Sequence, residues 1–454
     1  MKLGEMVARL LFVSAVGGLL TAEGAFCELE TARLQGEIDA VAAQGGGVVC
    51  IAPGDHLVGS LHLRSGVTLD LPEGARLVAS TNSCDYTTDP RIRPNNRAVI
   101  TGYGVTNVAI VGKGEIDGRG AFGPIGNEKA GRWRNVHLVR SAQVRIEDIT
   151  LRDCSRWNCY LQECDGVTVR RVKIRSNVNW NNDGLDLETT DTLVEDCDIV
   201  CGDDGICFKN DNPDYTVENC VVRNCRVSSN CNFIKFGTSG FGLYRNIVVS
   251  NCWLECVAET PHLDWRGWLP GVTEKMTGIS GLCLEVVDGG RMENIVIRDI
   301  TMGKGVQTPI FIRQHARHRP QPGRTSELKD VLIENVKMTA PAASLVACSI
   351  TGIPGLRPHD IVLRNLDLIV PGGATAEQAA MTFGEEEKCY PENRQFGKNV
   401  TLPAYGFYVR HADNVHFENV KVRTVKPDAR QPFVFDDADG CTVEGVTAKG
   451  IQRQ

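Results

Sequence analysis

Two short motifs bring three aspartates close together in the chain. The sequence NNDGLDL occupies residues 181–187 and CGDDGICFK occupies residues 201–209, so Asp183, Asp203 and Asp204 are near neighbours in segments that otherwise predict β-strands. Carboxylates held side by side repel each other, so at least one pKa should rise and one group should keep its proton near neutral pH. A proton donor beside ionised carboxylates is what the hydrolysis of a glycosidic bond requires.

The same residues are compatible with two other interpretations. Asp and Asn are common in the turns of repetitive β-structure, where the side chain caps the turn. Clustered carboxylates also bind hard cations such as Ca²⁺. Asp165, Asp191 and Asp198 fit the turn role, and Asp186 is also interpreted as structural, because alternation directs it away from Asp183. Spacing alone leaves catalysis, a calcium site and turn structure open.

Short alternating segments recur along the chain and predict how the motifs are positioned. Examples are VRIEDITL at 144–151, TLVEDCDIV at 192–200, ENIVIRDI at 293–300 and NVHFENVKV at 414–422. Each alternates with period two and is bounded by Asn, Asp or Gly. A repeat of roughly twenty to twenty-five residues without helices is typical of a solenoid. The sequence therefore predicts an all-β fold, a parallel β-helix, with equivalent positions of adjacent coils ~4.8 Å apart.

The two aspartate motifs are separated by close to one predicted coil. We therefore expect Asp183 and Asp203 to stack on one face of the solenoid, with Asp204 beside them. Such a stack would turn three separate carboxylates into one group around a single point.

The repeat pattern also predicts the domain organisation. It continues to the end of the chain, so we expect a single β-helix domain over residues 25–454. A short amphipathic helix within 27–44 would cover the open first coil, whose unpaired edge is otherwise an aggregation hazard. The segments 255–278 and 371–408 break the pattern, are loop-like, and are candidates for a functional role at the cleft.

The N-terminal segment resembles a secretory signal. Lys2 and Arg9 precede and flank the apolar run 10–20, and small residues follow. We expect residues 1–24 to be a signal peptide and the protein to be secreted or periplasmic. No other run is long and apolar enough to predict a membrane span.

Composition excludes several classes of partner and site. The net charge is −7 and no basic stripe is present, which argues against nucleic acid as a partner. The 18 cysteines fall at similar places in strand-like segments, as at Cys197, Cys220 and Cys252, which predicts mostly free thiols buried in a ladder. The cysteine and histidine spacing does not predict a zinc site, and we expect no cofactor or metal.

At the aspartate motifs the sequence resembles glycoside hydrolase family 28, the polygalacturonase family. NND at 181–183 and GDD at 202–204 stand in the order and spacing of that family. The resemblance implies a right-handed parallel β-helix that hydrolyses pectic glycosides with inversion. It also implies Asp203 as the general acid, with Asp183 and Asp204 holding and activating the water. Other segments that resemble members of the family are GGGVVCIAPGDHLVGSLHL (45–63), GEIDGRG (114–120) and CYPENRQFGKNVTLPAYGFYVRH (389–411).

The sequence departs from that family where the sugar is contacted. The family's Gly-His-Gly motif is replaced by NCNFIKFGTSG at 230–240, with Asn232 at the position of the histidine. Its Arg-Ile-Lys motif is replaced by PIFIRQH at 309–315, which supplies Arg313. These changes leave hydrolysis as the implied reaction and put the recognition of galacturonate in doubt.

Several cations near these positions are candidates for the missing contacts. Lys209, Lys235 and Arg313 could bind an acidic sugar through charge-assisted hydrogen bonds, and Asn232 and His411 are further candidate substrate contacts. Each is also compatible with a solvated side chain at a strand edge or turn.

Taken together, these features predict a monomeric glycosidase acting on a pectic polysaccharide or oligosaccharide. A β-helix polysaccharide lyase and a non-catalytic carbohydrate-binding solenoid remain as alternatives. A lyase would leave an unsaturated product that absorbs in the ultraviolet. The interrupting segments 255–278 and 371–408 favour action at a chain end, because long loops can close one end of a cleft.

Overall fold

The strands of this protein pair in parallel with the strands of adjacent coils. The computed structural model describes residues 29–92, 96–123, 125–126, 131–317, 323–382, 384, 392, 400–447 and 451–453. The helices in these ranges are α1 (Thr31–Ala43), α2 (Ala376–Ala379) and the 3₁₀-helix Ser83–Asp85.

The described ranges contain 30 strands, 15 in the N-terminal part of the chain and 15 in the C-terminal part. The first half comprises β1 (Gly47–Cys50), β2 (Gly54–Val58), β3 (Leu61–His62), β4 (Val67–Asp70), β5 (Ala75–Ala79), β6 (Arg97–Tyr103), β7 (Thr106–Val111), β8 (Glu115–Asp117), β9 (Trp133–Val139), β10 (Ala142–Glu147), β11 (Thr150–Arg152), β12 (Cys159–Arg170), β13 (Lys173–Ser176), β14 (Leu185–Glu195) and β15 (Asp198–Cys201). The second half comprises β16 (Ile206–Asn210), β17 (Thr216–Arg223), β18 (Arg226–Ser229), β19 (Asn232–Gly240), β20 (Leu243–Leu254), β21 (Gly278–Val286), β22 (Arg291–Met302), β23 (Val306–Gln314), β24 (Glu327–Met338), β25 (Cys348–Thr351), β26 (His359–Val370), β27 (Ala404–Thr424), β28 (Gln431–Asp439), β29 (Thr442–Glu444) and β30 (Ile451–Arg453).

The pairings form three faces of a solenoid. One series runs β6, β9, β12, β14, β16, β19, β21, β23 and β25, and we call it the site face because it carries the aspartate motifs. A second series includes β10, β17, β20, β22, β24 and β26, and a third includes β8, β11, β13, β15 and β18. The fold is a right-handed parallel β-helix, which confirms the predicted fold class.

Alternation within each strand separates the core from the surface. In β22 the buried side chains include Ile295, Ile297 and Ile300, and the residues between them are exposed or half-buried. Inside the solenoid equivalent residues stack from coil to coil, as do the rings of Phe208 and Phe236 at 4.6 Å between centroids. Each coil therefore buries its apolar edge only because its neighbours cover it.

Asparagine and aspartate occupy the corners, as the turn signals predicted. Asn219, Asn246 and Asn294 have positive φ angles of 55°, 55° and 53°, a conformation that Asn tolerates better than most residues. Their amides also hydrogen-bond along the solenoid: Asn219 donates to Asp191 at 2.9 Å, and Asn294 donates to Asn246 at 2.7 Å. The corner residues thus hold successive coils in register.

The cysteines behave as small apolar side chains. All 16 cysteines of the described residues are free thiols, and 14 of them are buried. Cys225 lies beside Cys197 and Cys252 of the neighbouring coils. The prediction of buried, stacked, mostly unpaired thiols is confirmed for this part of the chain.

The first coil is covered by the predicted helix. α1 buries Leu34 and Ile38 in the main core, which confirms a capping helix within 27–44. The proposed signal peptide, residues 1–24, lies outside the described residues. Among the residues that are described, no helix is both long and apolar enough to cross a membrane.

Both interruptions of the repeat appear as connections between strands. β20 ends at Leu254 and β21 begins at Gly278, and no strand is assigned between them. β26 ends at Val370 and β27 begins at Ala404, and the described part of that connection contains α2. These connections correspond to the predicted segments 255–278 and 371–408.

Candidate active site

Each aspartate motif places a glycine directly after an aspartate, and close packing of the coils explains why. A Cβ atom on Gly184 would lie 2.3 Å from the carbonyl oxygen of Gly205, and one on Gly205 would lie 2.5 Å from that of Phe233. No side chain fits at these distances, so glycine is required where the coils approach. The chain therefore enters the site face at the same corner in both coils, with Asp183 and Asp204 immediately before it.

Asp183 lies in register with Asp204 rather than with Asp203, which corrects the expected stack. β14 and β16 pair Leu185 with Ile206, so this coil takes 21 residues. The pairing continues back to the aspartates through the Gly184 N–H, which donates to the carbonyl of Asp204 at 2.8 Å. The Asp203 N–H bonds the carbonyl of Asn182 instead, at 3.2 Å. Asp203 is thus one position before the stacked pair.

Asp204 is the most strongly supported carboxylate of the group. Its side chain is buried, with Lys235 Nζ at 3.1 Å and Lys209 Nζ at 3.6 Å, and it accepts a hydrogen bond from Asn232 Nδ2 at 2.7 Å. Burial alone would raise the pKa of Asp204, but the two lysines and the Asn232 amide outweigh it and lower the pKa to about 2. Asp204 is therefore ionised at any pH where the protein is expected to work.

Asp203 differs from its neighbours in accessibility and in charge. It is partly exposed, whereas Asp183 and Asp204 are buried. Desolvation, followed by the negative charges of Asp183 and Asp204, raises the pKa of Asp203 well above its usual value. Its carboxylate also accepts the backbone N–H of Asp204 at 2.9 Å. The arrangement holds a proton on the carboxyl group that a ligand can reach.

Lys209 forms ion pairs between the two coils of the site. Its ammonium lies 3.6 Å from the carboxylate of Asp183 and 3.4 Å from that of Asp186. Burial raises the pKa of Asp183 to about 6, with Lys209 opposing the rise and Asp204 adding to it. Asp183 is therefore mostly ionised at neutral pH but protonates within the mildly acidic range.

Asp186 belongs to this group, although its alternation from Asp183 indicated a structural role. It is fully buried on the site face, in register with Cys207, and shares Lys209 with its neighbours. Burial, then the charge of Asp183, raises the pKa of Asp186 well above its usual value. The alternation argument failed because Asp183 lies at the corner before the strand, where the period of two does not yet apply.

Lys235 and Asn232, which the sequence predicted as substrate contacts, both contact Asp204 and Glu392. Glu392 Oε1 lies 2.6 Å from Lys235 Nζ and 2.9 Å from Asn232 Nδ2. The Glu392 N–H donates to Glu285 Oε1 at 2.9 Å, and burial raises the pKa of Glu285 to about 7. Sequence reasoning missed both glutamates. The signals for Glu392 were its position in the interrupting segment 371–408 and in the family-like stretch 389–411.

Arg313 and His411 are not brought to the aspartates. Arg313 is fully buried, stands in register with Glu285, and donates to the carbonyl of Gly352 at 3.0 Å. His411 lies on β27 and pairs with Asp437 at 2.5 Å. Five strand pairings along the site face separate β16 from β27, which corresponds to ~24 Å at the usual strand spacing. The expectation that His411 reaches the cleft at the aspartates is therefore wrong.

The other interrupting segment packs beside the first motif. His262 Nε2 lies 2.8 Å from the carbonyl of Val178, and Asn177 Nδ2 donates to the carbonyl of Glu259 at 2.6 Å. The ring of His262 lies 5.7 Å from that of Trp180, which is 41% exposed. Segment 255–278 therefore forms part of the wall next to residues 177–182.

One group of side chains that could hold a metal ion lies within the described part of this site. Ligand atoms of Asp203, Asp204 and Cys231 all lie within 4.8 Å of one another. The ammonium groups of Lys209 and Lys235 already supply positive charge beside Asp204.

Comparison with known proteins places the aspartate motifs in a family context. Residues 50–253, which contain both motifs, match the family model described as Glycosyl hydrolases family 28. A probable polygalacturonase of Vitis vinifera is 29% identical over 201 residues, covering 40% of this chain and 40% of that protein. The chain thus spans about two fifths of the length of this curated relative.

Solved structures share the fold over a larger part of the chain. The family 28 exopolygalacturonase of Yersinia enterocolitica has a TM-score of 0.72 at 17% identity, covering 93% of this chain and 77% of that one. The hyperthermoactive exopolygalacturonase of Thermotoga maritima has a TM-score of 0.62 at 21% identity, covering 76% and 83%. These identities are too low to carry more than the fold. Residues 50–253, with the two aspartate motifs within them, are therefore similar to glycosyl hydrolases family 28.

Proposed function

We propose that the protein is a glycosidase that cleaves a glycosidic bond in a pectic polysaccharide or oligosaccharide by a single displacement with water. The observation that carries this proposal is the meeting of Asp183, Asp203 and Asp204 at one corner of the site face. The match of residues 50–253 to family 28 supports the reaction class. The names of the relatives make galacturonan the first substrate to test.

The three carboxylates have complementary roles in this reaction. Asp203 is the general acid, because it is accessible and its pKa is raised, so that it can protonate the leaving oxygen. Asp204 and Asp183 hold the water and accept its proton as it attacks the anomeric carbon. Lys235 and Lys209 keep Asp204 ionised beside a protonated neighbour. No cofactor enters any of these steps.

The substrate assay separates this proposal from its rivals. Purified protein is incubated with polygalacturonan and with defined pectic oligosaccharides, and new reducing ends, product lengths and the released anomer are followed by chromatography and NMR. Hydrolysis with an inverted anomer is expected. A product that absorbs in the ultraviolet would instead indicate a lyase, and binding without turnover would indicate a non-catalytic solenoid.

Asp203→Asn tests the assignment of the acid. We expect this variant to lose about 10²–10⁴-fold in kcat while it folds normally and still binds the oligosaccharide. Asp198→Asn is the matched control, because Asp198 lies on the third face in β15, away from the site. Turnover by Asp203→Asn at the rate of the control would disprove the assignment.

Export and a monomeric state are part of the same proposal. Residues 1–24 act as a cleaved signal, and residues 25–454 fold as one β-helix domain. N-terminal sequencing of the protein from the medium or periplasm tests the first point. Light scattering of the purified protein tests the second.

A further inference from the structure

A pocket opens on the coils that precede the aspartates, on the same side of the solenoid. Its volume is about 410 Å³, within the ~300–1,000 Å³ range of small-molecule sites. Tyr160, which lines it, stands in register with Asp186 on the next coil. The pocket therefore continues the site face in the N-terminal direction.

The inner part of this pocket holds an arginine that forms no salt bridge with any described carboxylate. Arg134 is 1% exposed and lines the pocket, with its guanidinium 4.8 Å from the ring centre of Trp157 and 5.5 Å from that of Tyr160. It donates a hydrogen bond to Asn96 Oδ1 at 3.2 Å, and its buried Nε has no acceptor among the described residues. Burial, then the charge of Arg156, lowers the pKa of Arg134 to about 9.

A buried cation of this kind favours an anionic ligand. Arg156, also buried, lines the same pocket, and its guanidinium lies 4.8 Å from the ring centre of Trp157. Two guanidinium groups on one aromatic ring repel each other, and an anion between them offsets both that repulsion and their desolvation. Guanidinium groups bind carboxylates with paired hydrogen bonds.

The remaining charged residues of the lining are already engaged. Arg140 pairs with Glu163 at 2.9 Å. Arg91 pairs with Asp89 at 2.7 Å. Asp211 accepts hydrogen bonds from the hydroxyl groups of Ser239 and Tyr160. Arg134 is the cation of the lining that forms no salt bridge with a described carboxylate, and Arg156 lies beside it on the same indole ring.

Trp157 connects this pocket to the catalytic aspartates. Lys209 Nζ lies 5.1 Å from the centre of the same ring and 3.6 Å from both Asp183 and Asp204. The arginines and the lysine thus surround a single indole. Neighbouring units of one saccharide chain can reach both the pocket and the aspartates.

We propose that Arg134 and Arg156 form a subsite for the carboxylate of a uronic acid residue, in the saccharide whose bond is cleaved at Asp203. This inference rests on the proposed function. It places the recognition of the acidic sugar on the coils before the aspartates. Arg313, on a later coil of the same face, donates to the carbonyl of Gly352.

Binding titrations on a non-cleaving background test the subsite. In Asp203→Asn protein, calorimetry gives the affinity for a trigalacturonate and for its carboxyl-reduced, neutral counterpart. Adding Arg156→Gln or Arg134→Gln should weaken binding of the acidic trisaccharide about tenfold or more and leave that of the neutral one unchanged. Arg152→Gln is the matched control, because Arg152 is exposed and pairs with Glu115 on another face.

Each outcome bears on the inference. If the arginine variants bind the acidic trisaccharide as the control does, or if acidic and neutral ligands weaken equally, the subsite is disproved. Should Arg134→Gln fail to fold, Arg156→Gln and the charge-keeping Arg134→Lys provide the test, with Arg134→Lys expected to weaken binding less. Hydrolysis by the wild type is measured separately. Binding that depends on the arginines, without hydrolysis by the wild type, supports the subsite and overturns the proposed function. Hydrolysis by the wild type, with binding that the arginine variants do not alter, supports the proposed function and overturns the subsite.

Discussion

The ammonium group of Lys235 lies 3.1 Å from the carboxylate of Asp204, and both side chains are almost completely buried. A buried pair at this distance holds the carboxylate in its ionised form. Asp203, the next residue in the chain, has its pKa raised in the same site. Two adjacent aspartates thus acquire opposite protonation states, which is what an acid and a base for the same bond require.

Replacement of Lys235 should disable the base. In Lys235→Met the pKa of Asp204 rises, because the largest contribution that lowers it is lost. We expect kcat/KM to fall, and to fall further as the pH drops towards the raised pKa of Asp204, because a protonated Asp204 cannot accept the proton of the water. Lys235→Arg, which keeps the charge, should retain more activity. Equal activity of the two variants would contradict this role.

The ionisation of Asp183 should set the acidic limb of the pH–activity profile. Its pKa is about 6 and it must be ionised to act as a base, so activity should fall as the pH drops below this value. The charge of Lys209 lowers this pKa, so Lys209→Met should shift the limb to higher pH. The measurement is kcat/KM against pH, with Lys173→Met, an exposed change on β13, as control. A limb at the same pH in both variants would exclude Asp183 as its source.

Asp186→Asn should stabilise the protein in a pH-dependent way. The folded-state pKa of Asp186 lies above the unfolded value, so this group favours folding at low pH and loses that contribution as the pH rises through the folded pKa. The asparagine variant removes the cost of a buried carboxylate. Its free energy of unfolding should therefore exceed that of the wild type by ~1 kcal/mol at pH 8, and by less at pH 4.

Asp148→Asn serves as the control of opposite sign. Asp148 pairs with Arg171, which lowers its pKa, so its contribution to stability is present above the unfolded pKa. Its replacement should lower stability slightly at pH 8. Denaturant unfolding at the two pH values measures both variants, and a gain for Asp186→Asn that is larger at pH 4 would refute the expected linkage.

The glycine after Asp204 should tolerate no side chain. In Gly205→Ala the new Cβ would lie 2.4 Å from a methyl group of Val227 and 2.5 Å from the carbonyl oxygen of Phe233. The coils must separate, which should cost about 1–3 kcal/mol and displace Asp204. Gly36→Ala in α1 is the control, because no atom lies within 4 Å of the position and alanine favours a helix. Thermal unfolding should show a loss for the first and a small gain for the second.

Local sequence patterns predicted most of the architecture and the aspartates of the candidate site. The period of two, the Asn and Asp corners and the repeat length predicted the β-helix, because strand alternation and turn conformation depend on neighbouring residues. The pairs Asp183–Gly184 and Asp204–Gly205 marked the corners where coils approach most closely. The sequence also indicated three candidate substrate contacts that lie beside the aspartates, because each is at most about one coil from an aspartate motif: Lys209, Lys235 and Asn232.

Contacts between distant residues could not be read from these patterns. The register that pairs Asp183 with Asp204 depends on the number of residues at the corner. One residue more or fewer there would pair Asp183 with a different residue. Glu392 reaches Lys235 across 157 positions in the chain, and Arg134 lies against Trp157 of the next coil. His411 was misplaced for the same reason, because the number of coils between two motifs sets their distance. Close packing across coils, which has no local sequence signature, therefore decides which charges share the site and which protonation state each one adopts.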